Sequence, residues 1–468
     1  MKITLIEPKS PGVHVFNKVK LPRLGLPIMA TILKQKGYDV EVQAEEIRSL
    51  NFDRIYNSDL VGLSTITSTA PRAYHLADKI KNQVDIPIVI GGSHVTFYPE
   101  EALSHADFCV MGEGEKSFLE LVEFIDTQKD SGKKPENIPG LAYFNENKEL
   151  IKNSLPDPVT HNDLPFPDLS LIAGSEKMNI LPMETSRGCP FGCKFCSVIK
   201  MFGKKYRFKH IDKVADELAR LSPAKIFFYD DNFAADRERT YQLMKKIISR
   251  RDINIQWGAQ VRADIYKDPE LLDIMKEAGG RMLHIGFESV NQSTLEEYNK
   301  SLSIDETKQA IKTIKDKGFH IHGMFVIGSD HDDVRTAHET VNFALKHKID
   351  TIQLLILVPI PGSEQFHELA SQNRLLPSSW EYYDGHHVVH RPENISPYEL
   401  QYQVMKEMTR FYSFKKCLEL AAKFKFINLY FRFYGFRTLR QWFKDRKNIS
   451  YLEFLKKKYS PDVTMNTQ

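Results

Sequence analysis

Nowhere in the 468 residues does an uninterrupted apolar run approach the eighteen or so that a membrane-spanning helix needs, so no bilayer crossing is expected. Cysteine is scarce. The chain has five, three of them between positions 189 and 196, which is not the even, dispersed set of a secreted disulfide framework and points to a reduced compartment with a metal site. The start, MKITLIEPKSPG, lacks a signal-peptide core: Glu7 and Pro8 end its apolar stretch early, so it reads as a first β-strand of a cytoplasmic protein. Internal repeats and low-complexity tracts are missing too.

What is present is an ordinary globular composition, 42% hydrophobic and 27% charged, in a chain long enough for two or three domains. The net charge of +3 hides an asymmetry: from Tyr398 onward there are 15 Lys and Arg against 6 Asp and Glu. That excess suits anionic lipid, nucleic acid or an acidic partner, and composition does not choose among them.

Short apolar runs alternate with amphipathic stretches in the first 127 residues. Candidate strands are Ile3–Ile6, Val40–Val42, Leu60–Ser64, Ile86–Ile90 and Phe108–Met111, with helical segments at Leu26–Lys36 and Arg72–Lys81 between them. The pattern predicts a doubly wound, Rossmann-like α/β domain, whose ligands would lie beyond the strand carboxyl ends at Ser64, Gly91-Gly92-Ser93-His94 and Gly112-Glu113-Gly114-Glu115. Residues 128–180 read as a connector with a hairpin, Leu141–Phe144 and Leu150–Lys152. A second alternation over 181–375 offers strands at Pro182–Thr185, Lys225–Tyr229, Ile255–Ala259, Met282–Gly286, His320–Ile327 and Thr351–Leu357. Six such units predict a partial (β/α)6 TIM-type barrel with its working face at the strand C-terminal ends. Residues 376–468 read as a mainly helical segment rich in basic and aromatic residues, 17 aromatics from Tyr398 onward.

Directly after the first barrel strand, Cys189-Pro190-Phe191-Gly192-Cys193-Lys194-Phe195-Cys196 sets three thiols at C-x3-C-x2-C. Thiolates are soft ligands suited to iron–sulfur clusters, and three rather than four leave one iron open for chemistry. The alternative, a zinc site or three buried thiols, would want a fourth Cys or His at knuckle spacing, and His161 and His210 are poorly placed for it.

This motif, with an aromatic before its last cysteine and at the head of a partial barrel, resembles the radical S-adenosylmethionine (SAM) superfamily. The resemblance implies a 4Fe-4S cluster on Cys189, Cys193 and Cys196 whose open iron chelates SAM, and reductive cleavage of SAM to a 5′-deoxyadenosyl radical that takes hydrogen from an unactivated carbon. It also implies an electron donor such as flavodoxin or ferredoxin. By position, Phe195 would border the adenine, Asp230 and Asp231 the amino group, Arg262 the carboxylate, and Glu288, in Gly286-Phe287-Glu288-Ser289, the ribose hydroxyls or nearby polar groups. Arg187 and Gly188 would shape the cluster loop. Read as residues alone, the Asp pair is also a helix cap with turn chemistry, and Arg262 also a surface salt bridge. No residue is assigned as catalytic.

A doubly wound domain ahead of such a core resembles the cobalamin-binding subfamily, over roughly residues 1–375. The resemblance implies a corrin site at Ser64, Gly91, Gly92, His94, Gly112 and Gly114, with cobalamin between the domains and SAM serving as both radical source and methyl donor. The chain departs from many cobalamin domains in having no D-x-H-x-x-G motif, the usual source of a lower axial histidine. The rival reading is a relic domain without corrin, in an enzyme that joins carbons, cyclises or oxidises. His94 faces the corrin or caps a turn, while Cys109 and Cys417 read as core.

The tail stretch Phe424–Arg437 interleaves rings with cations and has three readings: a membrane interface at the inner face, nucleic-acid stacking, or a cap whose rings pack on the barrel. Nucleic acid is the least expected. With the resemblance of Trp380–Val389 to a C-terminal element of cobalamin-type proteins of hopanoid and related lipid modification, the expected substrate is a small, lipid-like or otherwise hydrophobic molecule, tetrapyrroles included.

Overall fold

The computed structural model describes residues 1–12, 19–127, 135–300, 302–424 and 426–460. Residues 128–134 of the expected connector and Lys425 of the basic-aromatic stretch lie outside them.

Five strands, β1 (Lys2–Glu7), β2 (Asp39–Ala44), β3 (Leu60–Thr65), β4 (Ile88–Gly92) and β5 (Phe108–Val110), form a parallel sheet in the order β2-β1-β3-β4-β5. Their near-continuous apolar character follows from burial on both faces. One face packs under the helices Gly25–Gln35 and Gly114–Thr127 through Leu26, Leu33, Phe118 and Leu121, the other under Ala70–Lys81 through Ala73, Leu76 and Ile80. Each such fully buried Leu or Ile contributes about 1.5–3 kcal/mol of transfer free energy.

The hairpin β6 (Leu141–Phe144) and β7 (Leu150–Lys152) is not free-standing. β6 pairs antiparallel with β5, extending the first sheet to seven strands into the stretch read as a connector. A three-residue β5 leaves Cys109 and Val110 with an open ladder on that side, and β6 fills it. Cys109 is fully buried there, with its thiol aimed at the Pro99 carbonyl.

The second sheet is fully parallel, in the order β8 (Leu181–Met183), β11 (Ala224–Phe228), β12 (Ile255–Arg262), β13 (Gly280–Glu288), β14 (His320–Ile327) and β15 (Thr351–Ile356). A two-stranded ribbon, β9 (Ser186–Arg187) with β10 (Arg207–Phe208), frames the cysteine loop. Helices follow the strands and bury the outer face, as along β12, where Trp257, Ala259 and Val261 enter the core while Gln260 and Arg262 face inward. The architecture is the expected one, a Rossmann-like domain, a six-stranded partial barrel and a helical C-terminus.

The C-terminal helices close the β15 side of the barrel. Tyr412 bonds both the N–H and carbonyl of Ile352, and Arg432 lies on the Phe411 ring, 3.4 Å from its centre, while donating to the Phe411 carbonyl. Leu439, Trp442, Tyr451 and Leu455 join the barrel core. Phe414, Leu418, Phe424, Tyr430 and Phe433 remain exposed, so the tail divides its rings between core and surface. Among the described residues no helix is long and apolar enough to cross a membrane.

Candidate functional site

Beyond the carboxyl ends of the first sheet lies a cavity of ≈360 Å³ lined by Ser64, Gly91, Gly92, Gly112 and Gly114. Glycine is required at two of these positions by conformation. Gly92 has φ +107°, and a Cβ there would come 2.2 Å from the Thr65 carbonyl oxygen; Gly112 has φ +73° and donates its N–H to Thr96 Oγ1 at 2.9 Å. Leu5, Met29, Val89 and Phe118 supply an apolar floor, and the opposite wall comes from the barrel domain: Glu184, Arg187, Ser197, Met201 and Phe202. A wide space with an apolar floor and glycines at the ends of β4 and β5 lets a large planar cofactor approach the backbone, and so fits a corrin.

His94 does not line this cavity. It begins the short helix Ser93–Phe97 with its ring fully buried, stacked on Tyr98 at 5.5 Å, edge-on to Trp380 at 5.0 Å and 3.9 Å from Glu101. Trp380 Nε1 donates to the same Glu101. The helical turn that starts at Ser93 swings the side chain behind the strand ends, so His94 pins the N-terminal domain to the C-terminal segment and neither faces the cavity nor caps a turn.

The cysteine loop runs from β9 to the helix Val198–Phe202. Its three thiols are free and half-buried, and the Cys196 N–H donates to the Cys193 carbonyl at 3.1 Å. Burial pushes the Cys196 thiol up to about 11 and raises Cys189 as well, with the neighbouring thiols and Asp231 adding to both. As free thiolates Cys189 and Cys196 are disfavoured there, and a bound cation relieves them. Among the described residues no group of three Cys, His, Asp or Glu side chains closes around a single ion. A cubane spreads its corner ligands wider than one ion does, so three soft donors on one loop fit the cluster rather than zinc.

The other expected residues divide. Asp231 accepts the Gly188 N–H at 3.2 Å, at the root of the loop, where Gly188 has φ +90° and a Cβ would meet the Lys205 carbonyl at 2.8 Å. Burial raises the Asp231 carboxyl to about 6, with Glu184 adding to the shift. Asp230 is turned away: it is fully buried and accepts from the Thr185 N–H, Thr185 Oγ1 and Ser186 Oγ at 2.6–2.7 Å, bracing β8 and β9. Adjacent residues at a strand end point to opposite sides, which separates the two.

Arg262 leaves the end of β12 to lie over the Phe191 ring of the loop, 3.8 Å from its centre, with Asp264 4.0 Å from Nε. Glu288 ends β13 with φ +63°, an uncommon conformation for a residue with a Cβ; its carboxylate folds back over Gly286 and pairs with part-buried Lys300 at 2.7 Å. Phe195 meets the buried Tyr298 ring edge-on at 5.1 Å. It also opens onto a second cavity, ≈610 Å³, with Val326, Leu355, Leu357 and Asp384. Asp231, Arg262, Glu288 and Phe195 thus gather around the cysteine loop, and Asp230 and His94 do not.

Sequence reasoning missed a buried ionic knot between the domains. Arg187 donates to Glu113 at 3.0 Å, to Glu115 at 2.7 Å and, through its other nitrogens, to Glu184 at 3.0 and 3.2 Å. Arg207 grips Glu113 with two bonds of 2.8 Å. The available signal was two glutamates set among the glycines of a strand-end loop, where small residues alone would serve a cofactor.

Residues 183–344 match the radical SAM superfamily, and residues 17–122 match the B12 binding domain. An uncharacterized methyltransferase of Pyrococcus horikoshii is 30% identical over 85% of this chain and 89% of its own length. The bacteriochlorophyllide d C-12(1)-methyltransferase of Chlorobaculum tepidum is 27% identical over 84% and 83%. Among solved structures, a radical SAM methyltransferase from Kitasatospora setae, with cobalamin and a 4Fe-4S cluster bound, superimposes with a TM-score of 0.66 at 17% identity, covering 81% of this chain and 76% of that one. The two family models and the cysteine loop together give this chain a 4Fe-4S cluster, SAM and cobalamin as cofactors. Cysteine loop, partial barrel and glycine-rimmed N-terminal cavity agree with these matches over most of the chain, which belongs to the radical SAM superfamily in the branch that carries a B12-binding domain ahead of the barrel.

Proposed function

We propose that this enzyme methylates an unactivated carbon of a small hydrophobic molecule. The observation that carries the reading is the adjacency of the two cavities: Arg23 and Ile66 line both, so a substrate in the larger cleft has the N-terminal cavity on one side and the cysteine loop, through Phe195, on the other. When bound, the cluster supplies the electron that cleaves SAM to a hydrogen-abstracting radical, and cobalamin supplies the methyl group. The chain's own residues bind and orient. Arg262, over the Phe191 ring, takes the SAM carboxylate in this reading, and Asp231 its amino group. Glu288, fixed by Lys300, serves the ribose, and Phe195 borders the adenine. Val326, Leu355 and Leu357 give the cleft an apolar wall, which supports a lipid-like, isoprenoid or tetrapyrrole substrate. The second of the curated relatives described above is named for a tetrapyrrole substrate, in keeping with that class.

The cleft is reached from the cytoplasm or its membrane face, and a low-potential donor of the flavodoxin or ferredoxin class reduces the cluster. From Phe411 to Lys444, eight Lys and Arg stand against Glu419 alone, and Phe414, Leu418, Phe424, Tyr430 and Phe433 are exposed in the same stretch. That combination favours peripheral contact with an anionic bilayer, from which a hydrophobic substrate could be drawn.

Anaerobic reconstitution with iron, sulfide and hydroxocobalamin tests the reading. The expected outcome is a corrinoid retained through gel filtration and, with SAM and a reductant, formation of both S-adenosylhomocysteine and 5′-deoxyadenosine. Formation of 5′-deoxyadenosine alone by protein that holds no corrinoid would instead support a cyclising or oxidising enzyme with a relic N-terminal domain.

A further inference from the structure

The ionic knot between the domains occupies a position that neither cofactor site explains. Arg187, Arg207, Glu113 and Glu115 all have side chains less than a tenth exposed. Glu113 and Glu115 flank Gly114 on the rim of the N-terminal cavity; Arg187 stands two residues before Cys189 at the root of the cysteine loop. β9 and β10 pair Arg187 directly with Arg207, so the two guanidiniums present one face of a rigid ribbon to the glutamates. The knot extends into the connector, where Glu113 accepts the Val159 N–H at 2.9 Å and Arg207 donates to the Val159 carbonyl at 2.6 Å.

Burying two carboxylates and two guanidiniums, with Glu184 part-buried beside them, is a costly way to join two domains, since apolar contacts of similar volume would hold them at least as firmly. What forked, multiply bonded guanidiniums add is direction: Arg187 fixes three carboxylates from three bearings, and a shift of an ångström in any leg breaks its geometry. The same Arg187 side chain lines the N-terminal cavity, and its backbone continues through Gly188, locked by Asp231, into the first cluster ligand.

We propose that Arg187 is a positioning residue that sets the distance and orientation between the corrin cavity and the cluster loop. The Glu115 and Glu113 legs register the loop 112–115, the Glu184 leg registers the end of β8, and the chain itself carries that register to Cys189. The inference rests on the proposed placement of cobalamin in the N-terminal cavity, but the coupling of the two loops is a property of the chain alone.

Two measurements test it, each on the full chain. In the protein without cofactors, Arg187→Lys keeps the charge and loses the fork, and Glu115→Gln removes one interdomain leg while leaving Arg187 on Glu184. Both variants are expected to accelerate amide exchange by at least about tenfold in segments 112–115 and 187–196 together, with the β12–β14 amides unchanged. In protein loaded with both cofactors, the cluster reduced by one electron to its paramagnetic 1+ state and the corrinoid held as Co(II), pulsed electron paramagnetic resonance reads the cobalt–cluster separation; one narrow distribution is expected in the wild type and a broader one in both variants. A merely structural Arg187 would raise exchange throughout the molecule and leave the separation narrow. If 112–115 keeps its protection in the variants, or the distance distribution is unchanged, the proposal is overturned. Should Arg187→Lys fail to fold, Glu115→Gln decides alone. If the wild type holds no corrinoid, the proposed function fails, and the exchange measurement still decides the latch.

Discussion

The two sheets of this protein turn the carboxyl ends of their parallel strands toward adjoining cavities and arm them in opposite ways. The first ends in Ser64, Gly91, Gly92, Gly112 and Gly114, and its two carboxylates, Glu113 and Glu115, are taken up by Arg187 and Arg207; the second ends in Asp231, Arg262 and Glu288 around three cysteines. A large preformed cofactor needs room and backbone approach, so its site is made by removing side chains. A cluster and a charged substrate need ligands and counter-charges, so theirs is made by adding them. Mutations should separate the two designs.

The largest effect is expected from Cys189→Ala, which deletes a cluster ligand. Iron content and the cluster absorption should be lost and SAM cleavage should fall roughly a thousandfold or more, while hydroxocobalamin is still retained. Loss of corrinoid as well would show that the sites are not independent. Next comes Gly92→Ala, the mirror experiment. With φ +107° and a carbonyl 2.2 Å from the new Cβ, it should cost about 2–4 kcal/mol in urea unfolding and abolish corrinoid retention, with the cluster intact.

Smaller per residue is an effect of pH, which originates in one histidine each of the connector, the barrel and the C-terminal segment. Burial holds His161 down to about 2, and His284 and His390 to about 4, so all three are neutral when folded. The unfolded chain binds protons at these sites below its ordinary histidine value while the folded chain does not. Their contribution is therefore present above about pH 6.5 and is lost as pH falls toward 4, by roughly 1–2 kcal/mol for each histidine between pH 6.5 and 5. Urea midpoints of cofactor-free protein across that range check the sign; a midpoint that rises on acidification contradicts it. The smallest change in stability, within about 0.5 kcal/mol, is expected from Phe414→Ser with Phe433→Ser, both on exposed rings. Sedimentation with vesicles rich in phosphatidylglycerol should nonetheless fall severalfold against wild type, with little binding of either protein to phosphatidylcholine vesicles. Equal binding of the two proteins to the anionic vesicles would remove the membrane reading of the tail.

Much of this comparison was legible in advance, because parallel strands buried on both faces read as apolar runs. β6, β7 and β14 span the expected residues, and most other strands differ by a residue or two at their ends. β12 and β13 extend further than expected, their polar ends being the functional residues themselves. The hairpin was legible as a hairpin, but not as the edge of the first sheet, since pairing between strands thirty residues apart leaves no mark on either. Side-chain direction at strand ends was less visible. Asp230 and Asp231 look alike in sequence, yet one braces β8 and β9 and the other anchors the cysteine loop.

By itself the sequence determined the order of elements, the cysteine loop and the glycines of the N-terminal rim, because periodicity, ligand spacing and the left-handed backbone are local properties of a chain. Only the tertiary structure decided that His94 turns into an aromatic nest, that the tail splits its rings between core and surface, and that Glu113, Glu115, Arg187 and Arg207 meet across the domains. Those outcomes depend on which buried charges and rings find partners seventy or more residues away, and burial turns such distant pairs into the strongest constraints in the molecule.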